Sequence, residues 1–191
     1  MKKIILASGS PRRVEILKGL GANFQIIPAE IEEKTSLNLS PESLAMSLSF
    51  MKAYSVGSKY PDEFVLGADT IVELEGKILG KPKDKDEARK FLQMLSGNGH
   101  RVITGFTIIS INENIKIADF EVSIVTFKAL QDLEIEEYIS TEEPYDKAGG
   151  YAIQGMAKKF IESYSGCYNN IVGLPDECLK KYLVKIGAIN V

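Results

Sequence analysis

The sequence predicts a mixed α/β (α+β) chain, a single domain over residues 1–191 whose mixed sheet lies in two lobes around a cleft. Three observations carry that expectation. Strand-length apolar runs and helix-length amphipathic stretches are interleaved without strict alternation. Glycine, proline or serine punctuates the boundaries between them. No repeat, low-complexity tract or Pro/Ser-rich linker divides the chain, and 191 residues fit the roughly 100–200 of one domain. With 45% apolar and 26% charged residues, the composition is that of an ordinary globular protein. A chain of this size buries roughly 70% of its unfolded surface and needs no metal or disulfide staple to fold.

Residues 4–7 form a short apolar run that reads as a first strand. Ser10 then stands as a cap with Pro11 at the first helical position, and Gly21 fits just past the helix end. Residues 24–27 give a second strand, followed by a polar loop through Glu30–Leu39. Ser40-Pro41 opens a helix that carries Leu44, Leu48, Met51 and Lys52 to about Lys59. Residues 64–72 are a strand with Asp69 set inside an apolar run, and Glu75-Gly76 turns it into a hairpin over 77–79. Asp84 with Glu87 resembles a capping box ahead of Ala88, Phe91, Leu92 and Leu95. Two long β segments, 101–111 and 115–128, flank Asn112-Glu113-Asn114. A helix near 132–141, then Pro144–Gly150, strand-like segments after it to about Val172, and a last helix from Pro175 to Lys185 complete the reading.

Charge and composition exclude several classes. Lys+Arg total 23 against Asp+Glu 26, a net charge of −3 with a pI near 5.4, whereas a duplex-wrapping protein shows a strongly basic surface. No run approaches the ~18–20 apolar residues of a membrane helix. The apolar start ends after four residues at Ser8-Gly9-Ser10-Pro11, short of the ~7–15 residues of a signal core. Cys167 and Cys178 lack CxxC spacing, and free thiols suit a reducing cytoplasm. A single histidine, His100, rules out a three-His zinc site and leaves any Ser-His-Asp triad resting on that one residue. On position alone His100 reads as a loop or capping residue. The chain is thus expected in the cytoplasm, with neither nucleic acid nor membrane as partner; a homodimer is compatible with it.

Five segments could carry chemistry. Ser8-Gly9-Ser10-Pro11-Arg12-Arg13 joins a strand to a helix N-terminus, where free N–H groups and the helix dipole favour an anion, and arginine grips phosphate oxygens bidentately. The plain alternative is an ordinary cap with two solvated arginines, and the spacing is not that of a P-loop. Asp69 in Gly67-Ala68-Asp69-Thr70 is either a metal ligand or general base, or a carboxylate on the wet face of an edge strand. Lys81 in Gly80-Lys81-Pro82, Lys52, Glu32 and Glu33 read on composition alone as surface charge. In Asp146–Gly155 the adjacent Gly149-Gly150 imply a backbone that closely approaches something, and Gln154 could read a base edge or close a turn. Asn169–Pro175 reads as structural. An anion-suited helix start, two lysines and an embedded aspartate together suggest metal-assisted phosphoryl or nucleotidyl hydrolysis, with Mg²⁺ or Mn²⁺ rather than zinc.

These same segments occur in an order that resembles the Maf family. Leu6–Arg13, the Glu33 loop, Lys52-Ala53, Gly67–Thr70, Gly80–Pro82, Ser96-Gly97 with His100, Asp146–Gly149 with Tyr151-x-x-Gln154-Gly155, and Asn170–Pro175 carry the likeness from about residue 4 to 187. The resemblance implies a two-lobed α/β fold with an elongated twisted sheet, like that of inosine triphosphate pyrophosphatases. It implies a nucleoside triphosphate pyrophosphatase that cleaves between the α and β phosphates with a divalent cation. Arg12, Thr70 and Gln154 resemble the branch acting on dTTP and UTP; the 7-methyl-GTP branch tends to carry tryptophan at position 12 and glutamine at position 70. Departures are Glu32 for a common aspartate, Glu142 for a common glycine before Glu143-Pro144, Gly150 for alanine and Cys167 for serine.

By the resemblance, Ser8, Ser10, Arg12 and Arg13 bind phosphates, and Lys52 and Lys81 add positive charge. Glu33 and Asp69 hold the metal. Either carboxylate can serve as the base that accepts the proton of the attacking water, with Asp69 following the family assignment. Arg12, Thr70 and Gln154 select the base of the nucleotide. The competing expectation is a nucleotide-binding regulator of septum formation without significant turnover, since Maf proteins are also linked to division arrest.

Overall fold

The computed structural model describes residues 2–31 and 39–190. The strands are β1 (Ile4–Leu6), β2 (Phe24–Ile26), β3 (Phe64–Leu74), β4 (Lys77–Leu79), β5 (Gly99–Ser110), β6 (Ile115–Phe127) and β7 (Ile161–Ser165). The helices are α1 (Pro11–Gly19), α2 (Pro41–Gly57), α3 (Lys85–Leu95), α4 (Asp132–Ile139), α5 (Tyr168–Val172) and α6 (Asp176–Lys185), with short 3-10 turns at Glu143–Asp146, Ala148–Gly150 and Met156–Phe160. Among the described residues the strands form one sheet in the order β2-β1-β3-β5-β6-β7, with β4 paired to β3. β1 runs parallel to β2 and β3, while the β3–β4 and β6–β7 pairs are antiparallel. The architecture is mixed α/β with a mixed sheet.

Contacts divide the chain into two compact units. The first comprises Met1–Thr70, Thr104–Glu121 and Gly173–Val191; the second comprises Ile71–Ile103 and Val122–Val172.

In the first unit, both sheet faces are covered, which explains why its strands read as continuous apolar runs. The two-residue strand period sends alternate side chains to opposite layers. Ile4, Leu6, Phe64, Leu66, Ala68, Phe106 and Ile108 pack with Val14 and Leu17 of α1 and Leu179 and Leu183 of α6. Ile5, Ala7, Val65 and Ile109 pack instead with Ala53 and Val56 of α2. Helix α2 lies unusually close to the sheet. A Cβ on Gly67 would stand 2.2 Å from the Ser49 carbonyl oxygen, and one on Gly105 would stand 2.5 Å from the Ala45 carbonyl carbon. Ser49 also meets Thr107 through a 2.7 Å hydroxyl–hydroxyl bond.

The second unit is organised around aromatic rings. Phe127, Tyr138, Tyr151 and Phe160 are buried, and edge-to-face pairs join Phe127 to Tyr151 at 4.9 Å and Tyr138 to Phe160 at 5.2 Å. His100 belongs to this core, in correction of the loop-or-cap reading. It is 2% exposed near the start of β5, edge-on to Phe127 and Tyr151, with Nε2 2.6 Å from the Tyr151 hydroxyl. Burial pushes its pKa down to about 4, a backbone contact at Asn98 opposing the shift. Burial likewise raises the Tyr151 phenol.

Most boundaries agree with the sequence reading to within a residue or two. Pro11 and Pro41 stand at the starts of α1 and α2, and Ser40 Oγ accepts from the Ser43 N–H. Ser10 occupies the cap position of α1, but its side chain makes no capping bond. Asp84 caps α3 by accepting from the Glu87 N–H at 2.8 Å, whereas the Glu87 carboxylate turns to the Lys83 N–H, so the box is displaced by one residue. The Glu75-Gly76 hairpin has both residues at positive φ, +49° and +81°, the pair of conformations a tight two-residue turn needs. The strand-like reading to Val172 is corrected: β7 ends at Ser165, and residues 168–172 are helix α5. There Asn170 is fully buried and its amide donates to the Val102 carbonyl and the Ser123 hydroxyl, so tertiary bonds override the strand propensity of Ile171-Val172.

Candidate active site

In the first unit the site grows from the strand period. Asp69 and Thr70 are neighbours on β3, so their side chains leave on opposite faces. Asp69 shares the α2 face with Gly67. The bare glycine admits the α2 backbone, and the Lys52 ammonium there stands 2.5 Å from Asp69 Oδ1. Both side chains are largely buried, at 14% and 11% exposed. β3 lies between β1 and β5, so the edge-strand alternative for Asp69 is excluded. The ion pair is a short, charge-assisted contact that offsets the cost of burying the carboxylate.

Thr70 projects to the α1 face. Its hydroxyl accepts from Arg13 Nη2 at 3.1 Å and bonds the buried Thr104 hydroxyl at 3.0 Å. The Arg13 fork also donates from Nε to the Gly173 carbonyl at 2.8 Å and from Nη1 to Ser8 Oγ at 3.3 Å. Three chain segments are thereby tied by one guanidinium: the turn after β1, the middle of β3, and the bend between α5 and α6. Gly173 adopts φ +128°, a conformation that glycine alone takes without strain. Ser8 is 8% exposed and its Oγ accepts from the Ser10 N–H at 3.3 Å, which shapes the turn at the helix start. Ser10 and Arg12 are half-buried at the same helix start.

Lys81 and Gln154 belong to the second unit, and both are exposed. The Gly149 N–H donates to the Gly80 carbonyl at 2.9 Å. A Cβ on Gly149, which sits at φ +69°, would stand 2.9 Å from Val72 Cγ1. The close approach read from Gly149-Gly150 is therefore to the end of β3 and to the loop bearing Lys81. Gln154 stands in a turn closed by the Gly155 N–H on the Ala152 carbonyl. Glu33 lies outside the described residues.

Sequence reasoning missed two residues here. Thr104 carries no motif, and only the parity of β5 against β3 could have pointed to it. Glu143 accepts from the Tyr138 hydroxyl and from the Met156 and Ala157 N–H groups; its place before Pro144 at a 3-10 turn was the available signal.

The arrangement suits chemistry on a polyanion: an anion-ready helix start, cations at Arg13 and Lys52, and a buried carboxylate within reach of an ammonium. A hard divalent cation fits this oxygen donor set. Among the described residues no group of three His, Cys, Asp or Glu gathers into a cage, and Mg²⁺ is commonly held by one or two carboxylates plus substrate phosphates.

The fold is one seen before. The Staphylococcus aureus Ham1 protein superposes with a TM-score of 0.54 over 97% of this chain and 100% of that one, at 13% identity. The sequence narrows this to a family: the model of Maf-like proteins matches residues 3–186, and the chain belongs to the Maf family. Among its relatives is a protein of Alkaliphilus oremlandii (strain OhILAs) named dTTP/UTP pyrophosphatase, 52% identical over 92% of this chain and 91% of that protein. A protein of the same name from Clostridioides difficile (strain 630) is 47% identical over 98% and 96%. Another from Caldicellulosiruptor saccharolyticus is 45% identical over 98% and 96%.

Proposed function

We infer that this protein is a nucleoside triphosphate pyrophosphatase acting on dTTP and UTP, which hydrolyses the α–β phosphate bond to the monophosphate and pyrophosphate. The observation that carries the reading is the Lys52–Asp69 pair at 2.5 Å on β3, one residue from a Thr70 hydroxyl held by Arg13. The names of the relatives at 45–52% identity support the substrate.

The physical obstacle is an anionic α-phosphorus that water must approach, so catalysis rests on charge neutralisation and positioning. Ser8, Ser10, Arg12 and Arg13 at the α1 start take phosphate oxygens, and Lys52 and Lys81 offset further negative charge. Asp69 takes the proton of the attacking water, with Lys52 holding the carboxylate through their ion pair. Asp69 and Glu33 are the residues that would hold Mg²⁺ or Mn²⁺, which when bound neutralises phosphate charge and makes a coordinated water more acidic. The Gln154 amide offers a donor and an acceptor, the pattern that meets a pyrimidine's carbonyl and imide N–H. Arg12 and Thr70 complete base selection. The cytoplasm is the compartment of this reading, and neither Cys167 nor Cys178 is in a disulfide.

The test is a panel of nucleoside triphosphates with Mg²⁺ or Mn²⁺, with pyrophosphate and monophosphate measured separately. Pyrophosphate release from dTTP and UTP, falling ~10²–10⁴-fold in Asp69→Ala while circular dichroism is unchanged, is the expected result. Orthophosphate release, or tight binding without turnover, refutes the reading, and the second outcome favours a nucleotide-binding regulator.

A further inference from the structure

The Gln154 amide is exposed, yet the backbone that carries it is held on both sides by buried groups. On the N-terminal side Tyr151 is 6% exposed, its hydroxyl against His100 Nε2 at 2.6 Å and its ring against Phe127. Ile153 is 5% exposed. On the C-terminal side one carboxylate grips the chain. Glu143 Oε2 accepts from the Met156 N–H at 2.8 Å, and Oε1 accepts from the Ala157 N–H at 3.3 Å and the Tyr138 hydroxyl at 3.0 Å. Glu143 is itself fixed, because its main-chain carbonyl accepts from Lys147 Nζ at 2.9 Å and its N–H donates to Thr141 Oγ1 at 3.3 Å. Gly155 makes the grip possible: a Cβ there would stand 2.2 Å from Glu143 Oε1 and 2.5 Å from Oε2.

We propose that Glu143 is a positioning residue for base selection, setting where the Gln154 amide stands by clamping the Gly155–Ala157 backbone. This rests on the reading of Gln154 as the group that meets the base. A carboxylate suits the task because it only accepts, and all three of its partners donate. A glutamine at 143 would turn its amide N–H₂ toward at least one backbone or phenol donor, losing bonds while keeping the shape. A reader fixed in advance needs less ordering when the base arrives, so the clamp acts on binding more than on the chemical step.

The experiment is a double-mutant cycle with Glu143→Gln and Gln154→Ala, read as KM and kcat for dTTP and UTP. Glu143→Gln is expected to raise KM by ~5–20-fold with kcat within ~2-fold of wild type. Placed in Gln154→Ala it should change KM by less than ~2-fold, which a merely structural role would not produce. An equal loss in both backgrounds, a fall in kcat at unchanged KM, or no effect of either substitution overturns the proposal. Should Glu143→Gln fail to fold, Tyr138→Phe carries the test, since it removes only the phenol that donates to Oε1. A ~2–3-fold rise in KM that disappears in Gln154→Ala is then expected, and no change overturns the clamp. The same cycle read as Kd for a non-hydrolysable α,β-methylene analogue of dTTP separates the two proposals. Silence of the wild type in the turnover assay refutes the pyrophosphatase reading, while the cycle in Kd still decides the clamp.

Discussion

The lone histidine gives the structure a measurable pH signature. His100 is buried between Phe127 and Tyr151, and its pKa falls from an ordinary 6.5 to about 4 in the fold. Above pH 6.5 the ring is neutral in both folded and unfolded chains and contributes no difference. As pH falls from 6.5 toward 4, the unfolded chain binds a proton that the native one refuses, so stability is lost with acidification. Linkage with these two values gives a loss of about 2 kcal/mol between pH 7 and pH 5. Urea unfolding at the two pH values measures it, with His100→Gln as the reference in which every other titrating group is retained. The pH-dependent loss in the wild type should exceed that of the variant by about 2 kcal/mol. Because the chain has one histidine, each carbon-bound proton of its ring gives a single, unambiguous resonance in the native protein. Equal slopes in the two proteins, or a native ring titrating near 6.5, would refute the burial argument.

Gly67→Ala places a methyl 2.2 Å from the Ser49 carbonyl oxygen and 2.6 Å from the Ala53 nitrogen. It should cost about 3 kcal/mol or more, seen as a large fall in Tm; an unchanged Tm contradicts the close helix–sheet contact. Arg13→Lys replaces a fork that reaches three acceptors with a point charge that cannot. We expect kcat/KM for dTTP to fall ~10–100-fold with the fold intact, and a near-normal value would show that charge alone suffices. Chelation should abolish hydrolysis, and Mg²⁺ or Mn²⁺ should restore it. Full turnover in the presence of chelator would remove the cation from the mechanism.

Local signals made much of the fold legible. Pro11, Pro41, Glu75-Gly76 and Asp84 act within a few residues of themselves, so helix starts and the hairpin could be read directly. Asp69 stood out because a carboxylate inside Phe64–Val72 requires an account. Which account applied depended on β3 lying between β1 and β5, and strand order is a long-range property. His100 shows the same limit in reverse, since a histidine after a glycine-rich loop gives no local sign of a cage built by residues 127 and 151. Residues 168–172 read as strand because Ile171-Val172 favours one, while the helix there depends on Asn170, held by a hydroxyl 47 and a carbonyl 68 residues away. Glu143 carries no local sign of its role beyond its place beside Glu142, because its three donors come from residues on both sides of it.

The bond from Arg13 to the Gly173 carbonyl spans 160 residues, and that span gives the site a history. At about 5–20 residues per second, a ribosome takes on the order of ten to thirty seconds to travel from one to the other. Throughout that interval the nascent chain carries its serine- and arginine-bearing turn without the acceptor that completes it. The serine- and arginine-bearing turn of the site is therefore completed by a segment synthesised 160 residues after it. Competence waits on that later segment, and chains released before residue 173 lack it however well β1 and β3 have formed.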